Sequence, residues 1–414
     1  MSRLLGGSAP GPRRVPAPPA WQEDLFTVGV TGTNGKTTTT AWVAAALRRL
    51  GGPVARATTV GFFLDDEELA VEKSYDGFIA AMRTCLDRGG KVAAIELTSE
   101  ALAHGFARAW PCRVGVFTNL THDHLDAHGS PEHYLASKAQ LFVSLPEGGQ
   151  AILNASDPVF PLLREVTPPN VRVRSYAVAS RGEAQGEPDI VASSVDVGWD
   201  GTTITCEASD PLLPRELRVR AIGDVYAENA LAALLGAVAA GVAPDDARDA
   251  IAAAPPPPGR FEVIHRRPYV VVDYAHSPDA LARTVTTARA LANKIPGARL
   301  TTVFGAGGKR DKAKRKPMGE AASPSDVVLL TTDNPRDEDP RDIARALATG
   351  LEGHGGVRTV LDRREAIRTA ILASRDDDVV LVAGKGHETE QDVGGEKRFF
   401  SDADVAREAL SARG

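Results

Sequence analysis

The chain has 414 residues, enough for two or three domains of ordinary size. Its hydrophobic share of 43 % and charged share of 25 % are those of a soluble globular protein, and a net charge of −6 argues against a nucleic-acid surface. Three cysteines (Cys85, Cys112, Cys206) lie far apart without metal-type spacing, and no apolar run approaches the roughly 18 residues of a membrane span, so a cytoplasmic protein with no membrane partner is expected.

Residues 1–24 carry Gly, Pro and Arg without an apolar targeting segment and read as a flexible tail. From Phe26 onward, apolar strand-like runs alternate with Ala-rich helical stretches. The strands are continuous apolar runs, as in a mostly parallel sheet covered on both faces, and residues 25–254 are read as one such central α/β domain. Its first strand leads into Thr31-Gly32-Thr33-Asn34-Gly35-Lys36-Thr37-Thr38, then a helical Ala-rich run. That order predicts a phosphate cradle. Glycines let the backbone turn close to the phosphates, helix N–H groups face them, Lys36 reaches the β- and γ-phosphates, and the Thr37 hydroxyl serves Mg²⁺.

Further along, Glu96 and the segment Phe117 to Asp126 hold a carboxylate and imidazoles at the ends of neighbouring strands. Three of the nine histidines (His122, His124, His128) lie there beside Asp123 and Asp126, which points toward a metal near the phosphate loop. Asp189 to Arg220 alternates Val, Thr and Ile as antiparallel strands flanking the main sheet would, and Tyr226 to Gly241 reads as a helix. Pro255 to Pro258 is a stiff hinge. Beyond it, residues 255–414 restart the α/β pattern as a Rossmann-like C-terminal domain, with strands at Val270 to Asp273, Leu300 to Phe304, Val327 to Thr331 and Val379 to Val382. Two domains across such a hinge suggest closure during turnover. The basic run Lys309 to Lys316 reads as a solvated or phosphate-facing loop.

These segments together resemble the Mur ligase superfamily, and within it the MurE group, which adds the third amino acid of the peptidoglycan stem. The resemblance runs from Thr31 to Asp402. It is carried by Gly32 to Thr38, Phe117 to Gly129, Tyr134 to Lys138, Gly259-Arg260-Phe261-Glu262, Asp273 to Asp279, Phe304 to Gly308, Asp333-Asn334-Pro335-Arg336 and Gly384-Lys385-Gly386-His387-Glu388. Folylpolyglutamate synthases share the superfamily, but their loop typically continues Gly-Lys-Gly-Ser.

The resemblance implies an ATP-dependent ligase that activates a carboxylate as an acyl phosphate and joins it to an amino acid. It implies Gly32, Thr33, Asn34, Gly35, Lys36, Thr37, Thr38, Asn229, Arg260 and Asp273 at ATP. A pair of Mg²⁺ ions would be served by Thr37, Glu96, His124 and a carbamylated Lys138. Lys36, Lys138 and His276 would act in catalysis, His276 as an orienter or proton handler. Asp333, Asn334, Arg336, Gly384 and Glu388 would grip the incoming amino acid. In the family, Arg after Asp-Asn-Pro, here Arg336, goes with meso-diaminopimelate as donor, and a guanidinium is suited to recognising a carboxylate in a bidentate way. A monomer is implied.

Departures fall on the acceptor side. MurE proteins begin with a domain that binds uridine diphosphate, whereas about 25 residues precede the first strand here. Ser74-Tyr75-Asp76-Gly77 replaces the family's Thr-Thr-Pro loop, Thr98-Ser99-Glu100 replaces Ser-Ser-His, and the Arg that usually follows falls at Phe106. Tyr226 stands where Asn is common. Ser74, Tyr75, Asp76, Thr98 and Ser99 are thus expected to form a rebuilt acceptor site for a carboxylate other than the usual UDP-muramyl dipeptide. The alternatives are MurE activity itself, a nucleotide-binding regulator that has lost ligation, and a plain phosphate-loop ATPase or kinase.

Overall fold

The computed structural model describes residues 15–121, 130–309 and 311–413. The chain divides into two compact units. One runs to Asp196 and takes in Asp200–Arg220 and Asp224–Pro255; the other holds Val197–Trp199, Ala221–Gly223 and Pro256 onward.

The first unit is built on an 11-stranded sheet. Its strands are β1 (Phe26–Thr31), β2 (Val54–Ala57), β3 (Phe62–Leu64), β4 (Glu67–Glu68), β5 (Val92–Glu96), β6 (Val114–Phe117), β7 (Gln150–Asn154), β8 (Arg172–Val178), β9 (Ile190–Gly198), β10 (Gly201–Ala208) and β11 (Glu216–Val219), in the order β11-β10-β9-β8-β7-β6-β1-β5-β2-β3-β4. Parallel pairing runs unbroken from β2 through β5, β1, β6, β7 and β8 to β9. Central strands are buried on both faces, which is why Val92–Glu96 reads as a continuous apolar run ending in one carboxylate. The region after Asp189 extends this same sheet: β9 lies parallel to β8, while β10 and β11 form the expected antiparallel pair. Residue alternation marks a half-buried strand but carries no orientation, so strand direction there was not readable from sequence.

Residues 20–24, expected within the flexible tail, instead form a short 3₁₀ helix. The Trp21 ring meets Trp110 edge to face at 6.1 Å, and the Pro16 carbonyl accepts a hydrogen bond from the Tyr75 hydroxyl. An indole buries too much apolar area to be left in water when a partner ring is in reach.

The second unit has a six-stranded sheet of β12 (Glu262–Arg266), β13 (Tyr269–Asp273), β14 (Leu300–Phe304), β15 (Val327–Leu330), β16 (Val357–Thr359) and β17 (Val379–Ala383), ordered β12-β13-β17-β14-β15-β16. All neighbours are parallel except β12 with β13. Apolar clusters cover both faces, one around Phe304 and Leu281, the other around Ile367 and Val405. A separate hairpin, β18 (Glu390–Val393) with β19 (Glu396–Phe399), completes the unit. No helix among the described residues is long and apolar enough to cross a membrane.

Candidate active site

The phosphate loop follows the carboxyl end of β1 and opens the helix Lys36–Leu47. Gly35 sits at φ +82°, in the left-handed region, and a Cβ there would meet the buried Asn229 Oδ1 at 2.1 Å. Both facts demand glycine, the first through backbone sterics and the second through lack of room. Side chains from the β6 end fix the loop's shape. Asn119 Oδ1 accepts from the Asn34 amide at 2.9 Å, and the Thr118 hydroxyl donates to the Asn34 carbonyl at 2.7 Å. Lys36 Nζ donates to the Thr33 carbonyl at 2.7 Å, so its amine lies back along the loop. Thr38 is buried in the first turn.

Glu96, at the end of β5, is 2 % exposed. Its carboxylate accepts from the Thr37 hydroxyl at 3.0 Å and from the Thr59 amide at 3.1 Å. Thr37, Glu96 and Thr59 thus bring hard oxygen atoms together beside the loop, the donor type that Mg²⁺ takes, usually with several waters kept. Among the described residues no three His, Cys, Asp or Glu side chains group as a metal site, and His122, His124 and His128, with Asp123 and Asp126, lie outside the described residues. Lys138 comes from the helix Pro131–Val143 and is 1 % exposed. Its Nζ donates to the Gly32 carbonyl at 2.6 Å and rests 4.3 Å from the centre of the Tyr134 ring, whose hydroxyl reaches Thr33. Asn119, Thr59 and Tyr134 were not singled out from sequence as site residues; Asn119 and Tyr134 stand inside segments that were.

The residues expected on the acceptor side have structural work of their own. Ser74 Oγ caps the helix Tyr75–Asp87 by accepting from the Gly77 amide, and Thr98 Oγ1 caps Ser99–Ala103 by accepting from Ala101. Asp76 and Glu100 lie in the first turns of those helices, where a carboxylate complements the positive end of the helix dipole. Burial pushes the Tyr75 phenol up, with Asp76 adding to the shift. Tyr226, the departure in the helix Val225–Ala239, packs its ring 5.9 Å from Trp42.

In the second unit Asp273 ends β13, and its carboxylate accepts from the Phe261 amide at 2.7 Å, the Ala275 amide at 2.8 Å and the Thr284 hydroxyl at 3.1 Å. Three donors already hold this group, which is expected at ATP. Arg260 stacks its guanidinium 4.4 Å from the Tyr274 ring centre, and His276 Nδ1 lies 2.9 Å from the Tyr274 carbonyl. The basic run is paired: Arg315 makes a bidentate bond to Glu338, and Lys309 meets Asp337. With Arg315 hydrogen-bonded to it, Glu338 is drawn down to about 2.

Asp333, Asn334 and Glu388 converge at the carboxyl ends of β15 and β17 around Lys385, which is fully buried. Lys385 Nζ lies 3.6 Å from Asp333 Oδ1, 3.3 Å from Asn334 Oδ1 and 3.2 Å from Glu388 Oε2. Arg336 adopts φ +54°, and its Nη1 donates to the Gly308 carbonyl at 2.5 Å while its amide pairs with Asp392 on the hairpin. Lys385 stands inside a motif quoted from the sequence, but its total burial was not readable there, since lysines are almost never fully buried unless paired.

Residues 30–237 match the Mur ligase middle domain and residues 259–386 the Mur ligase glutamate ligase domain. The UDP-N-acetylmuramoyl-L-alanyl-D-glutamate--2,6-diaminopimelate ligase of Geobacillus thermodenitrificans is 35 % identical over 402 residues, covering 94 % of this chain and 79 % of that protein. A solved structure of a ligase of the same name superposes with a TM-score of 0.67 at 31 % identity, covering 95 % of this chain and 80 % of that one. The fold extends to a folylpolyglutamate synthase of Mycobacterium tuberculosis solved with ADP, with a TM-score of 0.70 at 19 % identity over 95 % of this chain and 91 % of that one. The chain therefore belongs to the Mur ligase family and carries its middle and glutamate ligase domains, joined near Pro255.

Proposed function

We propose that the chain is an ATP-dependent, ADP-forming amide ligase of MurE type, which activates an acceptor carboxylate as an acyl phosphate and joins it to a diamino acid such as meso-diaminopimelate. The observation that carries this reading is the meeting of Thr37 with the buried Glu96 beside the phosphate loop. A carboxylate and an amine form no amide in water without activation. Catalysis of phosphoryl transfer rests largely on positioning and charge neutralisation, which is what this arrangement supplies.

Gly32 to Thr38 would cradle the phosphates, with Lys36 on the transferring group and Asn229, Arg260 and Asp273 at the rest of the nucleotide. Thr37 and Glu96 would hold one Mg²⁺. His124 and a carbamylated Lys138 would complete the donors for a second ion. When bound, these ions offset the charge that builds on the transferred phosphoryl group. Tyr134 and the Gly32 carbonyl hold Lys138 against the loop. His276 would orient or take a proton as the amine attacks. Asp333, Asn334, Arg336, Gly384 and Glu388 would bind the amino acid, with Glu388 and Asp333 toward an ammonium and Arg336 toward a carboxylate.

For the acceptor we propose a carboxylate other than UDP-muramyl dipeptide. Asp76 and Glu100 occupy two helix N-termini that would otherwise attract an anion, and Ser74 and Thr98 spend their hydroxyls on caps. The second reading is diaminopimelate ligation to UDP-muramoyl-alanyl-glutamate itself, favoured by the 35 % identity to an enzyme of that name. Mass spectrometry of reactions containing ATP, meso-diaminopimelate and one carboxylate at a time decides between them. The muramyl tripeptide as product establishes the second reading; an amide of another carboxylate, with none of the tripeptide, establishes the first.

A further inference from the structure

Behind the amino-acid pocket lies an ion pair that the proposed chemistry does not use. Arg363 opens the helix Arg363–Ala373 and Asp402 opens Asp402–Ser411, and both side chains are fully buried. Arg363 Nε and Nη2 each donate to one oxygen of Asp402 at 2.7 Å, a two-pronged pairing that joins the two helix starts. Nη2 also donates at 3.0 Å to the carbonyl of Ala383, the last residue of β17. The guanidinium therefore grips the chain at the residue before Gly384.

Gly384 has φ +122°, and a Cβ there would sit 3.5 Å from Asp333 Oδ2 and 3.7 Å from Arg363 Nη2. The turn is thus wedged between the pocket's carboxylate and the buried arginine. Two buried polar atoms at this place, Asp333 Oδ1 and Arg363 Nη1, have no hydrogen-bond partner among the described residues. Arg363 keeps its proton more firmly than an ordinary arginine. Burial opposes its charge, but Asp402 and then Asp333 and Glu388 outweigh that. Arg363 is paired to Asp402, and the buried Lys385 lies against both Asp333 and Glu388, so two pocket carboxylates meet one ammonium.

A buried pair is a weak source of stability, because desolvation offsets most of its attraction. Its consequence lies in what it holds. We infer that Arg363 and Asp402 are a positioning pair for the donor amino acid: they fix the Gly384 turn, beside which the Asp333 carboxylate lies, so that the pocket keeps a preorganised site for an ammonium group. The pair touches no reacting atom. It acts through Asp333 and the Gly384 turn, and the inference rests on the ligase reading above.

The test compares the wild-type chain with Arg363→Met/Asp402→Leu, which removes both charges together, and with Arg363→Lys, which keeps the charge but loses the fork. Steady-state KM and kcat are measured for meso-diaminopimelate and ATP, with L-lysine as a second donor and thermal melting as the check on folding. The double variant is expected to raise KM for meso-diaminopimelate tenfold or more, with KM for ATP within twofold of wild type. Arg363→Lys should fall between, and it carries the test if the double variant does not fold. Folded variants with a wild-type KM for the amino acid, or with both KM values changed alike, overturn the inference alone. All reactions contain the carboxylate that gives an amide in the mass-spectrometric experiment above; a wild-type chain that gives no amide with any carboxylate and either donor overturns the ligase reading and the inference together.

Discussion

Lys138 Nζ and the Gly32 carbonyl lie 2.6 Å apart although 106 residues separate them in sequence. The helix Pro131–Val143 thereby delivers a buried lysine to the rim of the phosphate loop, where its reading as a carbamate places new negative charge. Growth of the protein in ¹³C-bicarbonate is expected to give a carbamate carbon signal that Lys138→Met abolishes. That variant should melt within a few degrees of wild type yet lose on the order of 10²–10³ in kcat, the usual cost of removing one preorganised charge stabiliser.

Gly35 carries two independent constraints, a left-handed backbone and the Asn229 side chain. Gly35→Ala is expected to destabilise by about 1–2 kcal/mol from the backbone alone and to abolish measurable ATP binding in calorimetry. Adding Asn229→Ala removes the clash but not the backbone strain, so the double variant should still melt below Asn229→Ala alone. Equal melting of the two would show that room, not φ, is what matters.

Asp273 offers a choice between a structural and a nucleotide role. Its carboxylate accepts three hydrogen bonds from Phe261, Ala275 and Thr284. Asp273→Ala leaves those donors unpaired, so urea denaturation should show a loss of about 1–3 kcal/mol. A raised KM for ATP in the same variant is what its place at the nucleotide predicts, and unchanged stability would mean that the three bonds contribute nothing to the fold.

Much of this was legible in sequence because it is local. The strand–loop–helix run around Lys36 shows itself in a single stretch, and the strands at Tyr269–Asp273, Leu300–Phe304 and Val379–Ala383 are apolar runs bounded by polar ends. What stayed hidden depends on contacts between distant segments. Arg363 and Asp402 are 39 residues apart, and nothing local in either segment marks their pairing. Trp21 lies in a Pro- and Gly-rich stretch, and its packing against Trp110, Arg83 and the core cannot be seen locally. The caps made by Ser74 and Thr98 were not legible, because capping and ligand binding call for the same residue types.

The Glu338–Arg315 pair predicts an acid-dependent loss of stability. Arg315 holds the folded-state Glu338 at about 2, below its ordinary value, so the unfolded chain binds more protons between those values and stability rises with pH there. The contribution is complete above the ordinary carboxylate range and fades as pH falls toward 2. The melting-temperature gap between wild type and Glu338→Gln should accordingly be widest near pH 6 and close toward pH 2. A gap independent of pH would mean that the pair contributes nothing through its charge.

The central claim is that this chain couples ATP cleavage to amide formation between two substrates. The most direct measurement is phosphate release from ATP and Mg²⁺ by the purified chain, with amino acids and carboxylate acceptors supplied singly and in pairs. The account predicts release that requires one carboxylate and one amino acid together, in step with amide formed, and that Lys36→Ala abolishes it. Release at full rate with ATP alone, or none with any pair while ATP still binds, would contradict it.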